Sequence, residues 1–123
     1  EEADLTNVDL SDAELSGAYL GDANLAGANL SKADLSRANL NRAIITDADL
    51  KWTNLFGANL CMADLFGSDL RKANLNGSNL GQSVLWKANL SEADLSTADL
   101  RQANLREAIL YKTNMWSTNL ENA

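Results

Sequence analysis

The chain has 123 residues, with no proline, no histidine and a single cysteine, Cys61. This length suits one domain, over residues 1–123, and the lone cysteine excludes an internal disulfide. One Cys without any His cannot fill a tetrahedral zinc site made of nitrogen and sulfur ligands, so we expect no zinc. The net charge of −7 argues against direct nucleic-acid binding, and no apolar run reaches the roughly 18 residues that insertion into a membrane requires.

Acidic side chains dominate the N-terminal end of the chain. Residues 1–30 contain Glu1, Glu2, Asp4, Asp9, Asp12, Glu14 and Asp22 but no Lys or Arg, whereas acids and bases cancel over residues 31–123. We expect these acids to discourage edge-to-edge pairing by repulsion; an acidic docking site is the alternative interpretation. The chain begins at Glu1 rather than Met, so we expect that upstream sequence was removed.

A five-residue repeat runs through the whole chain. Leu recurs at every fifth position from 5 to 120, with Ile45 and Met115 as the exceptions, and we call this position the centre. Two residues earlier the side chain is small, mostly Ala, and the residue between is mostly Asp or Asn. The two residues after the centre are variable, mostly polar, and include every glycine. The stretch Ala28–Leu40, ANLSKADLSRANL, shows the pattern.

A regular helix or strand does not keep these leucines on one side. Five residues advance a helix by about 500°, so successive leucines would lie roughly 140° apart. On a flat strand they would alternate between faces. The three residues small–polar–Leu instead predict a short extended segment, and the next two residues predict a bend. If every bend turns the same way, the leucines all point inward and the chain coils around its own core as a solenoid. Inward Ser and Thr should then donate hydrogen bonds to backbone. The residues leave the number of repeats per coil open.

The pattern A(D/N)LXX, over residues 3–123, resembles the pentapeptide-repeat family. That resemblance implies an all-β fold, a right-handed quadrilateral parallel β-helix with four pentapeptides per coil and about six coils. Short Leu-centred members are numerous in cyanobacteria. The resemblance allows a cytoplasmic location, or a periplasmic or thylakoid-lumen location if a leader was removed.

With four pentapeptides per coil, residues that are four repeats apart become neighbours on the surface. One column then contains a predicted ion-pair ladder, Lys72–Glu92–Lys112, next to Trp52, which is placed for cation–π contacts with lysine. Asp49 and Asp69 should also be stacked neighbours. We interpret the charged column as solvated surface that stabilises the fold weakly.

A second neighbourhood breaks the polar rule of the repeat. Apolar side chains gather around Asp64 within three consecutive coils, and such outward clusters often mark a contact surface. The alternative is that bulky residues only shield the corner backbone. The candidate protein-contact residues are Ile44, Met62, Phe66, Val84 and Trp86.

The C-terminal end also departs from the repeat, with larger residues at Ile109, Tyr111 and Trp116. A solenoid must cover its last coil, so these residues could plug the end, or two rods could stack end to end. We therefore expect a monomer or a weak end-to-end dimer.

The sequence predicts a non-catalytic protein that binds a protein partner or acts as a scaffold. Without histidine it lacks the usual general base, and Cys61 has no partner that would form a thiolate, so we expect no catalytic residue, no metal and no cofactor. Better characterised members of the resembled family act on DNA gyrase by mimicking DNA. That function is an alternative here, as is a structural module of a larger protein. The centres here include no Phe, and the excess acid lies at one end, unlike those DNA mimics.

Overall fold

The computed structural model describes residues 3–123, and the five-residue repeat forms a square coil. Single-residue parallel bridges join each residue before a centre to its counterpart four repeats later, from Asp4↔Asn24 to Asp99↔Asn119. Residues 3–122 therefore make six coils of four repeats each. Over residues 3–123 there is no helix, and each β-bridge is a single residue between two turns. The expected small–polar–Leu extended piece is thus confirmed.

The rod has four faces, because four bridge residues occur in every coil. We number the faces by their first centre: face 1 begins at Leu5, face 2 at Leu10, face 3 at Leu15 and face 4 at Leu20. The residue before each centre points outward, and we call it the outer position. Successive coils lie about 4.8 Å apart along the rod, the spacing of hydrogen-bonded strands.

The core consists of the centres and the small residues two positions before them. From Leu25 to Leu100 every centre is at most 1% exposed, and the alanines two positions before a centre, from Ala23 to Ala103, are at most 3% exposed. Centres in the first and last coils are only partly covered, since each of these coils has a neighbour on one side. Burial at these positions therefore depends on coils above and below.

Repeats inside the stack with Asp or Asn at the outer position satisfy all of their backbone N–H groups, as buried or half-buried backbone requires. Two N–H groups donate to the following coil, one to the preceding coil, one closes the turn, and one is capped by the Asp or Asn at the outer position. In the repeat around Leu60 these bonds are Leu60 to Asn79 O (2.7 Å), Met62 to Gly81 O (2.9 Å), Asn59 to Ala38 O (2.9 Å), Ala63 to Leu60 O (3.0 Å) and Cys61 to Asn59 Oδ1 (3.2 Å). Where Ile44 or Val84 takes the outer position, the N–H groups of Thr46 and Trp86 have no such cap within residues 3–123.

Every corner places its second residue in the left-handed region of backbone conformation. The φ angles of these residues, from Asn7 to Asn122, lie between +54° and +68°, and most of them are not glycine. The preceding corner residue has ordinary negative φ, so each corner has the pattern of a type II turn. At Gly67 the carboxylate of Asp47 fills the place that a Cβ would take, so a larger residue there would displace this side chain.

The expected bonds from inward hydroxyl groups are present at most sites. Thr53 Oγ1 donates to Leu30 O at 2.8 Å, and Ser68 and Ser78 donate to the carbonyl three residues earlier at 2.8 and 2.7 Å. Ser83 is the exception, because its Oγ is buried without a hydrogen-bond partner. The prediction was therefore wrong for Ser83, where Ser occupies an Ala-sized site without forming the bond.

Candidate protein-contact surface

The outer column of face 1 carries two aliphatic side chains around one carboxylate. Parallel bridges pair Ile44 with Asp64 and Asp64 with Val84, so the three residues lie in consecutive coils along the rod. Ile44 is 43% exposed, and Asp64 and Val84 are half-buried. The coils on either side return to Asn24 and Asn104 in this column. The apolar departure from the repeat is thus confined to the middle of the face.

Two aromatic rings occupy the corner that follows face 1. The ring centroids of Phe66 and Trp86 are 5.2 Å apart, and their planes meet at 68°, an edge-to-face arrangement. Both side chains are half-buried. The indole Nε1 of Trp86 is buried without a hydrogen-bond partner. The pair therefore forms a fixed apolar ridge beside the outer column of face 1.

Lys87 covers part of this ridge, a contact that the sequence did not predict. Its Nζ lies 5.1 Å from the centroid of the Trp86 ring and 6.0 Å from that of Phe66. Both distances are within the range of cation–π attraction. The register of the repeat could have indicated this contact, because it places Lys87 one coil above Phe66 and one position further along the corner.

Met62 lies at the opposite corner of face 1 and is 50% exposed. The five predicted contact residues therefore extend across one face, from the corner before it to the corner after it. The structure brings Phe66 and Trp86 into direct contact and places Ile44 and Val84 on either side of Asp64. We call this set, with Asp64, the face 1 surface: Ile44, Met62, Asp64, Phe66, Val84 and Trp86.

The charged column at the corner between faces 2 and 3 forms only part of the predicted ladder. Lys72 Nζ lies 3.8 Å from a carboxylate oxygen of Glu92 and 5.8 Å from the Trp52 ring centroid, as predicted. Lys112 instead lies over the ring of Tyr111, at 5.2 Å from its centroid. The predicted Glu92–Lys112 rung is therefore wrong, because Lys112 has an aromatic neighbour within its own corner.

Asp49 and Asp69 are stacked on face 2 as predicted, and each has a base two residues later. Lys51 Nζ lies 2.8 Å from Asp49, and Arg71 forms a bidentate pair with Asp69. Burial disfavours the charged form of Asp69, but the hydrogen bonds and charge of Arg71 outweigh burial and leave the pKa of Asp69 below its usual value. The two carboxylates are thus neutralised and have little capacity for another ligand.

The C-terminal end exposes apolar side chains and backbone donors. Tyr111 and Trp116 are 62% and 71% exposed. The N–H groups of Leu105 and Leu110, which would donate to a following coil, have no backbone acceptor within residues 3–123. The larger residues therefore do not plug the end of the described rod.

Within residues 3–123 the structure contains no helix that is long and apolar enough to cross a membrane.

The pentapeptide-repeat family model matches overlapping segments, in 8 copies, which together cover residues 3–123. No curated protein matches the sequence.

Several solved structures share the fold. A pentapeptide repeat protein from the thylakoid lumen of Arabidopsis thaliana is 28% identical, with a TM-score of 0.63 over 76% of this chain and 61% of that one. One from the cyanobacterium Cyanothece 51142 is 32% identical, with a TM-score of 0.56 over 92% of this chain and 64% of that one. The chain thus spans about three-fifths of the length of these two proteins. QnrB1, a plasmid-mediated fluoroquinolone resistance protein, is 16% identical, with a TM-score of 0.53 over 94% of this chain and 77% of that one, and shows the fold alone.

The family match, the bridges between residues one coil apart and the shared fold agree with one another. They confirm the expected right-handed quadrilateral β-helix. The chain belongs to the pentapeptide-repeat family.

Proposed function

We propose that this chain is a non-catalytic, protein-binding rod whose partner docks on the face 1 surface. One observation carries the proposal: Ile44 and Val84 replace the polar residues of the repeat beside the aromatic pair Phe66 and Trp86. The repeat itself does not need apolar residues here, because Asn24 and Asn104 serve in the same column. A cluster of outward apolar side chains on a rigid surface is typical of a contact site.

A binding role also agrees with the chemistry of the remaining surface. The sequence has no histidine, and the paired carboxylates Asp49 and Asp69 are held by Lys51 and Arg71. The rigid coils present side chains at a fixed spacing of about 4.8 Å, which suits recognition by shape and charge. General acid–base catalysis would need a titrating group near neutral pH within a cleft, and nothing in this arrangement supports one.

DNA mimicry has weaker support as a function. The excess acid lies within residues 1–30, and over residues 31–123 acids and bases balance at ten each. Face 2 illustrates the balance, because Lys51 and Arg71 neutralise Asp49 and Asp69. A DNA mimic needs a net negative surface along the rod rather than at one end.

The proposal is tested by a double variant, Phe66→Ser with Trp86→Ser, in quantitative pull-downs from an extract of the source organism. A protein captured by the wild type should be lost with the double variant. The matched control is Phe56→Ser, which removes an aromatic residue from the same corner position on another face, where Phe56 is 41% exposed.

Unfolding in urea must accompany the pull-down. The double variant removes a packed aromatic pair, worth about 0.5–1.5 kcal/mol beyond area burial, and it should still unfold cooperatively. Equal loss of the captured protein with Phe56→Ser, or its retention by a folded double variant, would overturn the proposal.

A further inference from the structure

Asp64 differs from the other aspartates at outer positions in having no side-chain donor. Within residues 3–123 each of the others receives a hydrogen bond or salt bridge from a neighbouring side chain. The donors to those aspartates are Thr6 to Asp4, Asn29 to Asp9, Asn54 to Asp34, Lys51 to Asp49, Arg71 to Asp69, Ser96 and Asn114 to Asp94, and Arg101 to Asp99. Asp64 accepts only the Phe66 backbone N–H, at 3.0 Å.

The sequence around Asp64 explains this isolation. A donor for an outer aspartate comes from the residue two positions later or from the outer residue of the next coil. For Asp64 these positions are Phe66 and Val84, and neither side chain can donate. The nearest lysine on this corner, Lys87, lies over the aromatic rings and makes no salt bridge with a described residue. Phe66 and Val84, which form part of the contact surface, therefore leave its central carboxylate without a side-chain donor.

A partner that covers this surface must bring a cation to Asp64. A carboxylate removed from water without a counter-charge is costly, whereas one that gains an Arg or Lys fixes the register of the interface. A symmetric contact centred on Asp64 does not meet this need, because it would bring this carboxylate against its own counterpart. Asp47 adds negative charge at the corner, where its carboxylate lies over Gly67. The complementary partner is therefore basic at the centre and apolar around it.

The spacing of side chains along the outer column indicates whether the partner segment is a helix or a strand. Ile44, Asp64 and Val84 occupy consecutive coils, so the two aliphatic side chains are about 9.6 Å apart along the rod. On an α-helix, residues i and i+7 on one face are about 10.5 Å apart, with i+4 between them. On a strand, residues i and i+4 on one face are about 13.5 Å apart. A helix lying along the rod axis matches the column to about 1 Å, and a strand does not.

We propose that the face 1 surface binds an amphipathic helix of a partner protein that carries one Arg or Lys between two apolar residues, at i+4 between i and i+7. The basic residue pairs with Asp64, and the apolar residues pack on Ile44, Val84 and the Phe66–Trp86 ridge. This inference rests on the proposed function and deepens it by naming the chemistry of the partner.

The test uses a designed peptide of about 18 residues, long enough to be stapled as a stable helix, with Leu at i and i+7 and Arg at i+4. A second peptide carries Gln in place of that Arg. Binding of each to the full chain is measured by fluorescence anisotropy at low ionic strength. Three forms of the chain are compared: wild type, Asp64→Asn, and Asp34→Asn as a control on the opposite face.

Asp64→Asn keeps the fold, because Asn24 and Asn104 occupy the same column and Asn retains the acceptor for the Phe66 N–H. The substitution should weaken binding of the Arg peptide about tenfold, the effect of losing one charged hydrogen-bonded pair. Binding of the Gln peptide should be unchanged by Asp64→Asn, and Asp34→Asn should change neither. This four-way comparison isolates the Arg–Asp64 coupling.

The outcomes separate this inference from the proposed function. If the wild type and Asp64→Asn bind the Arg peptide equally, or if the Arg peptide does not bind at all, the basic helix is the wrong partner. The contact surface would still stand if the Phe66→Ser, Trp86→Ser chain loses its captured protein in the pull-down. If that captured protein is retained as well, both proposals fail.

Discussion

The middle coils and the last coil have the same five-residue pattern but different surroundings. Leu60 is fully buried, whereas Leu120, the centre of the same face three coils later, is 43% exposed. The N–H of Leu60 donates to Asn79 in the next coil at 2.7 Å, but that of Leu120 has no backbone acceptor within residues 3–123. Burial and hydrogen bonding are therefore properties of the stack of coils, and a single repeat does not provide them.

The comparison also shows what the polar positions contribute. The Asp or Asn at the outer position caps its corner equally well in both regions, as in the bond from Cys61 N–H to Asn59 at 3.2 Å and from Glu121 N–H to Asn119 at 3.1 Å. This cap is local, within two residues, and needs no neighbouring coil. The cap is thus local to a repeat, while the core is shared between repeats.

The largest effect is expected from shortening a centre. Leu60→Ala should lower the free energy of unfolding by about 2–5 kcal/mol, because it leaves a cavity between close-packed coils. Leu120→Ala should cost less than about 1 kcal/mol, since its side chain is already 43% exposed. Urea unfolding followed by circular dichroism measures both. Equal losses would show that the last coil is as well packed as the middle ones.

A smaller effect is expected from the inward hydroxyl groups. Thr53 and Thr118 donate to the carbonyls of Leu30 and Leu95, each at 2.8 Å, but Thr53 is fully buried and Thr118 is half-buried. Thr53→Val should cost about 1 kcal/mol, because water cannot replace the lost bond. Thr118→Val should cost roughly 0.5 kcal/mol or less, because water can. If Thr118→Val were the more costly change in the same urea experiment, the inferred role of burial would be wrong.

The sequence predicted the fold because its period matches a geometric constraint. Leucines five residues apart share an interior only if the chain bends after each one, and family resemblance supplied the number of bends per coil. The left-handed corner residues were only partly visible, through glycines such as Gly57. Trp52 and Met62 adopt the same conformation, with φ of 57° and 58°. In the middle coils the corner N–H also donates to the next coil, for example from Trp52 to Arg71 O at 3.0 Å. Lys112 and Ser117 in the last coil have the same conformation without a backbone acceptor within residues 3–123, so the bond to the next coil is not what sets it.

For the candidate site, the sequence predicted which residues share a column but not the directions of their side chains. A spacing of four repeats correctly placed Ile44, Asp64 and Val84 in one line. It did not reveal that Lys112 would turn toward Tyr111, or that Lys87 would cover the aromatic rings. A long side chain at a corner can reach neighbours in its own coil or in the next, and the repeat leaves that choice to local packing.

The smallest expected effect on stability comes from two Asp–Arg pairs that have the same local geometry. Arg71 and Arg101 each bind the aspartate two residues earlier, with Nη2–Oδ2 distances of 2.6 Å and Nε–Oδ1 distances of 2.9 Å. Asp69 is stacked on Asp49, whereas the neighbours of Asp99 in its column are uncharged asparagines. Asp99→Asn should cost a few tenths of a kcal/mol at neutral pH. Asp69→Asn should cost at least as much, because Asp69 is also attracted by Lys51, which neutralises the neighbouring Asp49.

The stabilisation by the Asp99–Arg101 pair should depend on pH. The pKa of Asp99 is lowered, chiefly by the hydrogen bonds from the Arg101 side chain, so folding favours its charged form. The resulting stabilisation is present above the unfolded pKa of 3.8 and is lost as the pH falls below it, through the folded pKa. The wild type and Asp99→Asn should therefore differ in urea midpoint at neutral pH and converge in acid. A difference that persists well below pH 3.8 would mean that the Asn variant disturbs the corner rather than the ion pair.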